Sequence, residues 1–168
     1  MKQVVVAIFA LAVLSVGFAG GWNFVERHDD ARDKDTSYVL LRSENSEDGN
    51  VVVRCDGGDW LEMYVTTAEL HISRTEQKQP DSATFWYAAS TWQFDSEAAV
   101  TELLSVAVSK DAVFFSGDAL GHFLAGLVDG AKLEVRAMGV AGNQLTYNFD
   151  VTGGTDALRN LSCISINF

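Results

Sequence analysis

Apolar and polar residues alternate with a period of two over much of this chain. Three such segments, residues 38–42, 51–55 and 60–65, are separated by polar turns, and the first turn contains Asp48-Gly49. Alternation of this kind is typical of β-strands with one buried face, and Asp-Gly is a frequent hairpin dipeptide. The three segments therefore predict a β-meander.

One later segment has helical periodicity instead. Apolar residues between positions 120 and 128 recur every three or four residues, which is typical of an amphipathic helix. Ser116 is predicted as its N-cap and Gly130 as the residue that follows it. Thr155 is predicted to cap a short helical turn that contains Leu158 and Leu161. Further strands are predicted at residues 84–94, 103–108, 112–115, 132–136, 145–151 and 162–168.

These elements predict a mainly β protein: an antiparallel β-sandwich with one packed α-helix, at about residues 116–129, and a short C-terminal helical turn. Strands with one apolar face need a second layer to cover that face, and the many Gly and Asp turns suit short antiparallel connections. The predicted sandwich is a single domain that comprises residues 36–168.

The N-terminal residues 1–19 have the features of a secretory signal peptide. Lys2 is followed by an apolar run, and Gly17-Phe18-Ala19 is a small-x-Ala cleavage site. This predicts a periplasmic or secreted protein. The alternative is an uncleaved membrane anchor, because the apolar stretch can be extended from Val4 to Trp22, close to the ~20 residues that span a bilayer.

Residues 20–35 are predicted to form a charged tether between the signal peptide and the sandwich. Nearly every residue from Glu26 to Asp35 is charged and the run has no apolar face, which is typical of a solvated segment. Its four aspartates lack the Gly and the terminal Glu of an EF-hand calcium loop. No metal site is therefore predicted there.

The net negative charge of the chain argues against nucleic acids and anionic membranes as partners. The chain has 12 basic and 23 acidic side chains, for a net charge of −11 at pH 7. Phosphates and anionic membranes are bound by clustered Lys and Arg, so nucleic acid is not a predicted partner. Membrane contact is predicted only through an uncleaved N-terminal segment. No phosphate-binding loop, HExxH or CxxC motif is present, and no cofactor is predicted.

The only two cysteines of the chain are Cys55 and Cys163. Disulfides persist outside the reducing cytoplasm, so an even pair in an exported chain predicts one Cys55–Cys163 bond. This bond would tie an early strand to the C-terminus. The alternative is a pair of buried free thiols.

Aromatic residues are concentrated in the predicted strand at residues 84–94. Alternation places Trp86, Trp92 and Phe94 on one face and Tyr87 on the other. Because Trp and Tyr often anchor protein interfaces, Trp86, Tyr87 and Trp92 are the candidate contacts for a partner. The alternative explanation for these aromatics is core packing.

The predicted helix brings together a hydroxyl, a carboxylate and an imidazole, those of Ser116, Asp118 and His122. The spacing of Asp118 and His122 places them on one face of the helix. A Ser-x-Asp sequence at a helix start is nevertheless far more often a cap than a catalytic group. No catalytic residue is therefore predicted.

The order of several motifs resembles the VasI-like accessory proteins of type VI secretion, a group of exported bacterial proteins. The resemblance extends from about Val51 to Cys163. Its elements are Val52-Val53-Arg54-Cys55, Tyr64-Val65, Gln93-Phe94-Asp95, residues 109–115, the helix Leu120 to Leu127, Lys132-Leu133-Glu134-Val135-Arg136, residues 149–153, and Ala157-Leu158 through Cys163.

The resemblance implies an exported β domain of the bacterial cell envelope that is linked to a secretion system. Together with the residues above, it predicts a non-enzymatic accessory protein that binds a protein partner. Two alternatives remain from the sequence. One is a small secreted carbohydrate-binding module or hydrolase. The other is a structural component of a virion or envelope complex, held by an uncleaved N-terminal helix.

Intact mass spectrometry of protein recovered from the envelope fraction tests the predicted processing and oxidation. We expect a chain that lacks residues 1–19 and whose two thiols are alkylated only after reduction. A full-length chain with two free thiols would contradict export and would favour the membrane-anchored alternative.

Overall fold

The alternating segments form strands in the computed structural model of the protein, which describes residues 15–17, 21–57, 60–77 and 84–164. These residues contain thirteen strands and two helices. The elements are β1 Ser15–Gly17, β2 Trp22–Val25, β3 His28–Asp29, β4 Lys34–Asp35, β5 Tyr38–Arg42, β6 Asn50–Cys55, β7 Leu61–Thr66, β8 Arg74–Gln77, β9 Thr84–Phe94, β10 Val100–Val106, β11 Ala112–Phe115, α1 Gly117–Asp129, β12 Lys132–Met138, β13 Gln144–Asp150 and α2 Gly154–Leu158.

Eleven of the strands form one antiparallel sheet with the order β1-β2-β5-β6-β7-β11-β10-β9-β12-β13, in which β8 also pairs with β9. Strands β3 and β4 form a separate two-stranded hairpin. Inner residues from both halves of the large sheet belong to one hydrophobic cluster, so the halves enclose a shared core. The predicted class, mainly antiparallel β with a sandwich-like core and one packed helix, is confirmed.

Helix α1 closes this core through an aromatic cluster. The Phe123 ring lies 3.9 Å from Phe115, 5.4 Å from Phe94 and 6.1 Å from Trp92, measured between ring centroids. A Cβ atom at Gly126 would overlap the Phe94 ring, so glycine is needed there for the helix to approach β9. Aromatic pairs in tilted and edge arrangements stabilise such a core beyond the burial of their area.

Helix α1 begins and ends at the predicted positions, but its ends lack the predicted capping interactions. Ser116 is the N-cap residue, with an extended backbone, but its side chain makes no capping hydrogen bond. Gly130 follows the helix at φ −81°, which is not the left-handed conformation for which glycine is usually selected. The short helical turn near the C-terminus is α2. It begins at Gly154 with Gly153 as its N-cap residue, so the predicted cap at Thr155 is wrong.

The predicted disulfide is present. Cys55, at the end of β6, is bonded to Cys163, and the Cα atoms are 5.6 Å apart, within the range usual for such bonds. The predicted last strand at residues 162–168 is wrong for residues 162–164, because Ser162 and Cys163 lie in a turn and Ile164 is not in a strand. Residues 165–168 lie outside the described residues.

The predicted tether over residues 20–35 is wrong from Trp22 onwards. Strand β2 pairs with β5, and the Trp22 side chain is 0% exposed. Its indole N–H donates to the backbone oxygen of Val151, 3.3 Å away. The charged run that follows folds back as the hairpin β3–β4. The charges dominated the sequence pattern and concealed the alternation of Trp22 and Phe24, which is the signal of a half-buried strand.

A Trp22→Ala substitution tests whether residues 22–25 form a packed strand or a solvated tether. A buried Trp22→Ala change should lower the free energy of unfolding by about 3–5 kcal/mol, because it removes a core side chain and leaves a cavity. The matched control is Trp60→Ala, since Trp60 is 76% exposed and should change stability by less than about 0.5 kcal/mol. Denaturant unfolding of the oxidised proteins measures both. Equal effects of the two substitutions would contradict the assignment of β2.

Candidate functional site

A groove with a volume of about 760 Å³ lies on the outer face of β5, β6 and β7, and one of its walls is formed by the start of the hairpin segment. We call it the sheet groove. Its lining residues are Arg27, His28, Asp29, Asp30 and Thr36 from the hairpin segment, and Tyr38, Leu40, Asn50, Val52, Arg54, Tyr64 and Thr66 from the sheet.

Strand alternation explains why these side chains share a face. Val39 and Leu41 of β5 are buried in the core, so the alternate positions Tyr38 and Leu40 point outward. The register then pairs Tyr38 with Arg54 and Leu40 with Val52 across β5 and β6. Every second residue of the meander therefore contributes to the floor of the groove.

Arg54 is the fixed cation of the floor. Its Nε donates a hydrogen bond to the Glu62 carboxylate, and its guanidinium carbon lies 5.7 Å from the centre of the Tyr64 ring. Burial lowers the pKa of Arg54, but the hydrogen bond and the charge of Glu62 outweigh it, so that the pKa is raised. With 44% of its side chain exposed, Arg54 keeps donors available to a ligand.

Tyr64 supplies a neutral phenol beside this cation. Burial raises its pKa, although the charge of Arg54 opposes the shift. Its ring also lies 5.2 Å from the Phe114 ring on the neighbouring strand β11. The phenol therefore keeps its proton at neutral pH, as a donor held in place by a cation and a second aromatic ring.

The other end of the floor is held by a hydrogen-bonded turn. The Thr66 hydroxyl donates to the backbone oxygen of Asp48 at 2.6 Å. The Thr66 hydroxyl oxygen in turn accepts hydrogen bonds from the backbone N–H and the side-chain amide of Asn50, each at 2.9 Å. Because both strand ends and the turn share one hydroxyl, this end of the groove is pre-organised.

The hairpin wall is anchored at its base. The Arg27 backbone N–H donates to the Ser37 hydroxyl at 3.0 Å, and the Thr36 N–H donates to the Arg27 oxygen at 2.9 Å. Asp35 accepts hydrogen bonds from the Ser37 backbone N–H, at 2.8 Å, and from the Ser162 hydroxyl. Ser162 precedes the disulfide-bonded Cys163, so the bond to Cys55 holds the wall indirectly.

Asp35 has a pKa below its ordinary value. Burial by itself raises the pKa of this carboxyl, but the hydrogen bonds from Ser162 and Ser37 and the charge of His28 together outweigh it. The carboxylate form is therefore the one that the fold stabilises.

The aromatic contacts predicted from the sequence lie elsewhere. Trp92 is wrong as a direct partner contact, because it is 2% exposed and packs edge-on against Phe115 and Phe123. Trp86 is half-buried on the same inner face, and Lys110 lies over its ring at 5.8 Å. Tyr87, half-buried, lies on the opposite face, so the three residues do not form one surface.

Among the described residues, no hydrogen bond links Ser116, Asp118 and His122. His122 lines a separate cavity of about 310 Å³ between α1 and the end of β9, to which the other two residues do not contribute. Within the part of the chain that the structure describes, no group of three or more His, Cys, Asp or Glu side chains is placed to hold a metal ion.

Sequence reasoning missed the sheet groove. Its signal was present as polar and aromatic residues at alternate positions of three successive strands, with Arg54 and Tyr64 as the clearest members. The wall was hidden because its charged residues were interpreted as a tether. What the groove offers chemically is a fixed guanidinium, phenols, a short apolar floor at Leu40 and Val52, and carboxylates on one side.

In comparisons with known proteins, no family model, no curated protein and no solved structure matches the chain. In the described residues there is no helix with the length and hydrophobicity needed to cross a membrane.

The hydrogen bonds of Asp35 predict a pH dependence of stability. A folded-state pKa below the unfolded value of about 3.9 gives stability that is complete above that value and lost as the pH falls through the folded pKa. Asp35→Asn should therefore destabilise the protein at pH 7, and its difference from the wild type should shrink as the pH falls below about 3.9, the ordinary pKa of an aspartate.

Urea unfolding of the oxidised protein at a series of pH values measures this difference. The control is Asp156→Asn, because the Asp156 side chain is 71% exposed in a surface pair with Arg159. This substitution should change the free energy of unfolding by less than about 0.5 kcal/mol. A difference between Asp35→Asn and the wild type that is the same at every pH would contradict the role of Asp35.

Proposed function

We propose that this protein is an exported, non-enzymatic envelope protein that binds a segment of a partner protein in the sheet groove. The observation that carries the proposal is the Arg54–Tyr64 pair, which is held by Glu62 and Phe114 in an open groove. Tyr and Arg are, with Trp, the residue types enriched among the energetic anchors of protein interfaces.

The other groups of the groove match the mixed chemistry of a peptide. Leu40 and Val52 give a small apolar floor, and Arg27 and Arg54 contribute cations to the lining. Asp29 and Asp30 supply acceptors on the hairpin wall. A peptide segment carries apolar side chains, backbone donors and acceptors, and charges within a short length, so it is complementary to all of them.

Export is supported by two independent features. Residues 1–19 have the pattern of a signal peptide, and Cys55 and Cys163 form a disulfide, which is a bond that persists in oxidising compartments. We accordingly place the protein in the periplasm or outside the cell. The resemblance to the VasI-like proteins supports a link to a secretion system.

The two alternatives have less support. A sugar would stack on an open aromatic face, but Arg54 lies over the Tyr64 ring and Phe114 packs against it. A helical anchor from Val4 to Trp22 would need helix where the structure has strands β1 and β2. Of these two, the carbohydrate-binding module is retained as an outcome of the test.

Peptide-library selection on the oxidised protein, followed by affinity measurement of the selected peptides, tests the groove. Arg54→Ala should weaken binding at least tenfold, about 1.4 kcal/mol, because a central anchor is lost. Arg136→Ala is the matched control, since Arg136 also pairs with a glutamate, Glu134 at 3.0 Å, but on the other half of the sheet.

Near-UV circular dichroism should confirm that both variants remain folded. Unchanged peptide affinity in folded Arg54→Ala would contradict the proposal. Saturable binding of a glycan that competes with the peptides for the groove would favour the carbohydrate-binding alternative instead.

A further inference from the structure

The edges of the large sheet at β13 and at β2 differ in how their backbone groups are covered. At the β13 edge, the backbone N–H of Glu44 donates to the oxygen of Asn148 at 2.7 Å. The side chain of Asn45 donates to the Thr146 oxygen and accepts from the Asn148 N–H, both at 2.9 Å. Unpaired strand edges can pair with strands of other chains. The loop that contains Glu44 and Asn45 hydrogen-bonds to the backbone of β13 and so covers that edge.

The β2 edge is covered only by the three-residue strand β1, as far as the described residues show. The pairing is antiparallel and joins Ser15 to Val25, Val16 to Phe24 and Gly17 to Asn23. Strand β1 lies on the N-terminal side of the predicted cleavage site after Ala19. Removal of residues 1–19 therefore removes β1 and leaves the backbone of β2 without a neighbour on that side.

We propose that, in the processed chain, the β2 edge binds an extended segment of the partner protein, which pairs antiparallel to β2 in the place of β1. This inference rests on the proposed function and gives its binding mode, which is β-strand addition. The structure itself holds an extended segment on this edge, and that segment defines the direction and register that the edge accepts.

The β2 edge is anchored in the core and lies beside the sheet groove. Trp22 anchors β2 in the core, and β2 pairs with β5 so that Val25 lies opposite Tyr38 and Asn23 opposite Leu40. Tyr38 and Leu40 both line the groove. An added strand would lie about 10 Å from β5, two strand spacings away. One partner segment can therefore reach both the edge and the groove.

The sequence of β2 contains none of the usual devices against strand addition. It has no proline and no charged residue among Trp22, Asn23, Phe24 and Val25, whereas natural edges are often protected by such residues. A second copy of this chain is a poorer occupant. Edge-to-edge pairing of two copies would bring together two strongly acidic chains and their acidic hairpins, which follow β2 directly.

The experiment uses the processed protein, purified in its oxidised form from the envelope of an export-competent host, with the loss of residues 1–19 checked by intact mass. The probe is a synthetic peptide with the sequence of residues 14–18, flanked by lysines and labelled with a fluorophore. The matched control peptide has proline at the position of Val16, which prevents strand pairing without any change in the protein.

We expect saturable binding of the probe by fluorescence anisotropy, with at least tenfold weaker binding of the proline peptide. Hydrogen–deuterium exchange should slow at residues 22–25 when the probe binds. Because the probe does not carry a groove segment, Arg54→Ala should bind it as the wild type does. Loss of probe binding with intact groove binding would therefore overturn this inference alone.

Three further results would also overturn it. The first is a chain recovered from the envelope with residues 1–19 in place. The second is equal binding of the two peptides. The third is self-association of the processed protein, measured by analytical ultracentrifugation, with slowed exchange at residues 22–25 as the protein concentration rises.

Discussion

The packing of helix α1 onto the inner face of the sheet is the interaction on which the rest of the structure depends. Phe123 contacts aromatic rings from β9 and β11, and Gly126 allows the helix backbone to reach Phe94. Because residues from both halves of the sheet share this core, the sheet is held folded over on itself. Its outer face is left to the solvent, and this face contains the sheet groove.

Two further constraints shape that outer face. Strand β2 extends the sheet on one side because Trp22 is buried near Val151. On the same side, the Cys55–Cys163 bond places Ser162 against Asp35 at the base of the hairpin. The wall of the groove thus depends on contacts with the C-terminal part of the chain, and not only on its own short strands.

Sequence patterns predicted the strands of the meander, helix α1 and the disulfide. The strands and the helix each have a local periodicity, and the disulfide follows from the number of cysteines. Period-two alternation identifies a strand without reference to its neighbours, and a chain with two cysteines has only one possible pairing. The tether prediction failed because charge was taken as evidence of solvation. A run of charged residues can equally form a hairpin when its ends are tied to a sheet, as Arg27 and Ser37 tie this one.

The sequence by itself determined which residues alternate, where the helix lies and which cysteines pair. Only the tertiary structure decided which aromatic residues are accessible: alternation places Trp92 and Tyr87 on opposite faces but does not say which face becomes the core. It also decided that Arg27 and Asp29 lie beside Arg54 and Tyr64 in one groove. The physical reason is that these contacts join segments far apart in the chain, and they form only when the sheet has folded around its core.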